Sequence, residues 1–214
     1  MPRMLGALAV LGAAALAAAG VPVRAQERAP AGDFAGRVVL SRDRTIGEAL
    51  ERIARGSRSW RDALARLEAS DRRIVVLTPD EVVVRDAGTA GPATFDPGAL
   101  AEVSPVADES GRVAVVLVVV NVRGMREAHE RRGSLPGELD ADLERVLAHE
   151  VYGHAVPYLE AGHLSGRCAD PVAGAPATSA CAVQRENVIR AELRLGRRTD
   201  HALGSLALSR FSPR

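Results

Sequence analysis

The chain has 214 residues, of which 28 are basic and 27 acidic, for a formal net charge of +1. The basic residues are all arginine and lie scattered along the chain, which excludes the basic stripe that a nucleic-acid partner requires. Once an amino-terminal leader is set aside, the remaining length supports one hydrophobic core and not two.

That leader reads as a signal peptide over residues 1–25. Arg3 precedes an apolar run from Leu5 to Gly20, and Val23-Arg24-Ala25 fits the small-residue pattern ahead of a signal-peptidase cut. The run is short for a membrane span and ends in Gly20, Pro22 and Arg24, so no stable anchor is expected after cleavage. The protein is therefore read as secreted or periplasmic, with a mature end near Gln26. Residues 26–37, rich in Pro, Gly and Ala, read as a flexible leader, and 38–214 as a single domain.

From Thr45, the positions Ile46, Ala49, Leu50, Ile53 and Ala54 follow the helical period, and Trp60, Leu64 and Leu67 resume it after Gly56-Ser57. This predicts a helix pair. Arg73 to Thr78 and Glu81 to Arg85 are strand-like runs separated by Pro79-Asp80, a pattern that reads as a hairpin, and Gly88 to Gly98 reads as a loop. The run Arg112 to Val122 is the strongest strand signal and is expected to be deeply packed; a polar helix is predicted from Met125 to Arg132. Leu139, Leu143, Val146 and Leu147 then define a helix with acidic residues in its first turn, as the helix dipole favours, running into His149-Glu150. Pro157 is expected to end it, Gly162 to Thr178 to be a loop, and a last helix to run from Ala182 to about Leu195, stopping at Gly196. The fold class implied is α+β, a small mixed sheet packed with helices. Cys168 and Cys181 are read as a disulfide, since two nearby cysteines in an exported chain are bridged more often than free, and without a CxxC spacing they make a poor zinc pair.

The segment His149-Glu150-Val151-Tyr152-Gly153-His154 carries the chemistry. Two imidazoles converging on one ion, with a carboxylate beside the bound water, are what zinc hydrolysis needs. In the usual arrangement the histidines are four residues apart on one helical face. Here they are five apart, a rotation of about 140° in a regular helix, so a local bulge is required, and Gly153 is the residue expected to adopt the unusual backbone. His129-Glu130 has no histidine four or five residues later and reads as an exposed helical pair.

His-Glu-x-x-Gly-His is similar to the expanded motif of the dipeptidyl peptidase III family of zinc peptidases, with His149 and His154 in ligand positions and Glu150 as general base. The likeness covers six residues, and the Glu-Glu-Cys-Arg type motif of that family is absent. A second likeness covers more of the chain. Glu186-Asn187-Val188-Ile189-Arg190, followed by Gly196 and Arg198, resembles the Glu-Asn-x-x-Arg tail downstream of the His-Glu motif in zincin-like domains of bacterial effectors and toxins. These resemblances imply a zincin-like fold and an exported zinc metallopeptidase acting on a peptide or protein, with Zn2+ held by His149, His154 and a carboxylate from a later helix.

Glu186 is chosen as that third ligand, with Arg190 one turn on to hold it; Glu160, His163, Asp170, Glu192 and His201 are the alternatives. Tyr152, Tyr158, Arg190 and His201 are candidates for an oxyanion donor. Two other readings stay open: a zinc-binding exported domain without catalysis, and a domain in which the histidines bind no metal.

Overall fold

The computed structural model describes residues 38–84, 94–95, 99–108, 110–162, 168 and 177–199, so the expected signal peptide and leader lie outside the described residues. The elements in chain order are β1 (Val39–Ser41), α1 (Arg44–Gly56), α2 (Arg58–Glu68), β2 (Arg73–Leu77), β3 (Val83–Val84), β4 (Thr94–Phe95), β5 (Ala101–Ala107), β6 (Val113–Val120), α3 (Val122–Arg132), α4 (Glu138–Leu147), a π-helical segment (Ala148–Ala155), α5 (Val156–Ala161) and α6 (Ala177–Glu192). The class is α+β.

The helix pair forms where the apolar period places it. Asp43 caps α1 by accepting from the Ile46 amide at 2.9 Å, and Ser57 both ends α1 and caps α2 through the Trp60 amide at 3.0 Å. Ile46, Ala49 and Ile53 on α1, and Trp60, Ala63 and Leu67 on α2, are buried.

Four strands form a mixed sheet in the order β1-β2-β6-β5, with β1, β2 and β6 parallel and β5 antiparallel on the edge. Ile74 and Val76 on β2 lie beside Val116 and Val118 on β6, and all four are fully buried, so one face of the sheet carries the core shared with the helices. The run of valines in β6 therefore forms an inner strand, as its composition predicts.

Several expectations are corrected. Residues 73–84 are not a hairpin: β2 pairs in parallel with both neighbours, while β3 pairs with β4. The bend between β2 and β3 is a single tight turn over Pro79–Glu81, closed by Glu81, whose carboxylate accepts from the Thr78 amide at 2.8 Å. The sequence reading passed over β5, whose Pro105 and polar residues argue against a strand. The register explains how the proline fits. Asn121 donates to the Leu100 carbonyl, which makes the even-numbered residues of β5 the ones hydrogen-bonded to β6; Pro105, opposite Val116, turns its nitrogen to the free edge. Helix α3 begins at Val122, three residues earlier than expected, because Asn121 caps it through the Gly124 amide. The final helix begins at Ala177 rather than Ala182. It ends in a left-handed turn at Arg194 (φ 59°), with Leu195 donating to the Arg190 carbonyl, so Gly196 is not its terminator.

Candidate metal centre

Helix α4 does not stop at its last regular turn. Its path continues through eight residues, Ala148–Ala155, with five-residue hydrogen bonding, as in the Val156 amide donating to Val151. That widened turn supplies the bulge demanded by the five-residue histidine spacing. The His149 and His154 rings meet edge to face with centroids 4.9 Å apart. One ligand atom from each of His149, Glu150 and His154 lies within 4.8 Å of the others, so the group could hold a metal ion. His149 is buried; Glu150 and His154 are half-buried.

Gly153 serves this turn differently from the expectation. Positive φ occurs among the described glycines at Gly111, Gly133, Gly137 and Gly162, not at Gly153. What Gly153 lacks is a side chain where α6 crosses: a Cβ there would stand 3.0 Å from the Ala182 carbonyl oxygen and 3.1 Å from the Ala182 Cβ. The glycine permits close approach of two helices.

Pro157 also departs from its expected role. The helix passes through it and ends at Gly162 (φ 76°). Proline removes the amide that would bond to the carbonyl four residues back, and that carbonyl, on Gly153, instead accepts from Arg185 at 3.0 Å.

Glu186, expected as the third ligand, stands outside the cluster of ligand atoms. Its fully buried carboxylate contacts His149 Nδ1 through Oε2 at 2.9 Å, accepts from Arg198 on the same oxygen at 2.9 Å, and accepts from Arg190 on Oε1 at 2.7 Å. Burial alone would raise its pKa, but the hydrogen bond and charge of His149, with the two guanidiniums, hold it well below the usual carboxylate range, at about 2. A carboxylate on the far nitrogen of an imidazole fixes the ring's orientation and tautomer and presents Nε2 to a metal. Glu150 is pushed the other way: burial raises its pKa, opposed by His149 and reinforced by the charge of Glu186, while Arg198 lowers it and Glu102 on β5 raises it.

The other candidates fall into place around this group. Glu160 pairs with Arg66 at 2.9 Å, and Glu192 accepts from Ser57 and Ser59 at the start of α2, so both are engaged elsewhere. His163, Asp170 and His201 lie outside the described residues. Tyr152 lines a separate cleft with Arg66, Val156, Pro157, Glu160 and Arg185, and burial raises its pKa. Tyr158 packs, partly buried, against the core. Arg190 is committed to Glu186 and to the Gly196 carbonyl at 2.6 Å. His129 is not exposed: it is buried, with Nε2 3.3 Å from Asp142 on α4.

Cys168 and Cys181 form a disulfide with Cα atoms 5.6 Å apart, which removes both sulfurs as metal ligands. Cys181 is fully buried and immediately precedes Ala182, the residue in contact with Gly153. The sequence reading missed two residues of the site. Glu102 lies on the overlooked edge strand, and Arg198, noted only as part of a pattern, arrives from beyond α6 with its side chain 2% exposed. No family model, curated protein or solved structure matches the chain, so the functional argument rests on this geometry.

Proposed function

We propose that the chain is an exported zinc-dependent metallopeptidase of the zincin type. The observation that carries this reading is the convergence of His149, Glu150 and His154 on one widened turn, with the His149 ring held from behind by a buried carboxylate. Two imidazoles converging beside a carboxylate suit a zinc site with that carboxylate next to the bound water, and an oriented ring of this kind is the usual companion of a metal-ligating histidine.

Zinc in such a site supplies Lewis acidity toward a carbonyl and lowers the pKa of water toward about 7. The chain's own residues supply the rest. His149 and His154 would hold the ion. Glu150 would accept the proton of the attacking water and pass it to the leaving amine. Glu186 keeps His149 in place and takes no part in proton transfer. The outer edge of β5, which pairs with no further strand among the described residues, offers the amides and carbonyls of Ala101 and Val103 to an extended peptide, while Pro105 has no amide to offer and limits the pairing at that end. The leader pattern of residues 1–25 and the disulfide support export.

A second reading has one observation in its favour. Because Glu150 places an oxygen in the same 4.8 Å cluster as both histidines, it could ligate the ion and close a non-catalytic site. Metal content of the purified mature protein, measured with turnover of a peptide library, separates the two. Wild type and Glu150→Gln are expected to retain about one zinc and His149→Ala to lose it, with hydrolysis abolished in both variants. Loss of zinc from Glu150→Gln would favour the closed site. Absence of zinc from the wild type, even after reconstitution, would overturn both readings.

A further inference from the structure

Arg198 reaches the centre from a non-helical tail rather than from any element that builds it. Two devices dock that tail. The Asn187 side chain clamps the Arg198 backbone, accepting from its amide at 2.7 Å and donating to its carbonyl at 2.8 Å, and Arg190 donates to the Gly196 carbonyl at 2.6 Å. A cleft of about 530 Å³ bordered by Asn187, Arg190, Leu195, Gly196 and Arg197 lies against the tail. Once docked, the tail places a guanidinium on Glu186 Oε2, 3.4 Å from His149 Nδ1.

We infer that Arg198 is a positioning residue of the metal centre, and that docking of the tail over residues 195–199 assembles the centre. This rests on the reading of His149 as a metal ligand. The physical argument concerns the freedom of one carboxylate. Arg190 grips Oε1 alone, from the same helix as Glu186, and a single contact of this kind lets the carboxylate pivot. Arg198 grips Oε2 from the tail beyond that helix and fixes its plane, so that Oε2 stays the acceptor for His149 Nδ1–H. Without Arg198, the carboxylate is free to leave the imidazole or to turn toward the ion. The ring then loses the partner that directs Nε2 to the metal. The Glu-Asn-x-x-Arg pattern acquires a division of labour: Glu186 orients the ligand, Asn187 docks the tail, Arg190 secures both, and Arg198 locks the carboxylate.

The test uses the full mature chain as wild type, Arg198→Met, Arg198→Lys and Asn187→Ala, each checked for folding by circular dichroism. Two quantities are read: zinc affinity by competition with a chromophoric chelator, and the tautomer of the His149 ring in metal-free protein by long-range 1H–15N correlation. Loss of a supporting partner of a metal ligand typically weakens affinity about 10- to 100-fold. Arg198→Met is expected to show a loss of that order and a mixed tautomer, Arg198→Lys to recover part of both, and Asn187→Ala to move both in the same direction although it deletes no side chain that contacts Glu186 or His149. Zinc affinity within twofold of wild type together with an unchanged tautomer in Arg198→Met and Asn187→Ala would overturn the inference. If Arg198→Met fails to fold, Arg198→Lys and Asn187→Ala decide by the same readouts. A wild type that binds no zinc sinks the metallopeptidase reading, and the tautomer then decides on Arg198 alone: its loss supports the positioning role and its retention overturns it.

Discussion

At Gly153 a single hydrogen atom decides how closely two helices approach. The backbone there is ordinary, and the constraint comes from Ala182 across the interface, whose carbonyl oxygen would lie 3.0 Å from an added Cβ. Backbone atoms of a packed helix cannot swing aside as a side-chain tip can. Gly153→Ala is therefore expected to destabilise the fold by about 1–3 kcal/mol, the usual range for overpacking, measured by urea unfolding. Adding Ala182→Gly removes the 3.1 Å Cβ contact and is expected to restore part of the loss. No restoration would place the requirement in the Gly153 backbone after all. The residue type was legible in the sequence, but its reason was not, because the neighbour that imposes it lies 29 positions away.

Among the elements, the π-helical segment carries the candidate metal group. A widened turn leaves its hydrogen-bond ladder out of step with the α-helix that follows, and Pro157 falls at that junction, where a missing amide does least harm. Arg185 on α6 then satisfies the Gly153 carbonyl. Removing it should leave a poorly satisfied buried carbonyl, so Arg185→Ala is expected to lower stability by about 1–3 kcal/mol. Pro157→Ala supplies an amide for the same carbonyl. In a double-mutant cycle the two changes together should therefore be less destabilising than their sum; strict additivity would show that Arg185 acts elsewhere. The histidine spacing announced this segment, since five residues cannot align in a regular helix. Strand β5 was not announced, because an edge strand needs no strict alternation and tolerates a proline facing outward.

For the whole molecule, the decisive contacts join segments remote in sequence. Glu192 ties the end of α6 to the start of α2 through Ser57 and Ser59, and Arg52 on α1 reaches Asp140 and Glu144 on α4 at 3.0 and 2.7 Å. The Cys168–Cys181 bridge, spanning 13 positions, joins the segment before α6 to the stretch of helix that packs on Gly153. On the chain-entropy model, closing a loop of this size contributes about 3 kcal/mol. Cys168→Ser with Cys181→Ser is expected to lower the unfolding free energy by about that amount, and reducing agent to have the same effect on the wild type and none on the variant. An unchanged urea midpoint in the double variant would remove the disulfide from any stabilising role.

What the sequence determined by itself is local: the helix pair from its apolar period, the inner strand from its run of β-branched residues, the disulfide from two nearby cysteines in a chain read as exported, and the histidine pair with its need for a bulge. Each follows from spacing along a few turns of chain, where covalent geometry sets which side chains meet. Tertiary structure alone decided which strands pair, why position 153 is glycine, and how Glu186 and Arg198 come to meet beside His149. Those depend on the approach of segments whose separation along the chain carries no geometric information until the core has formed.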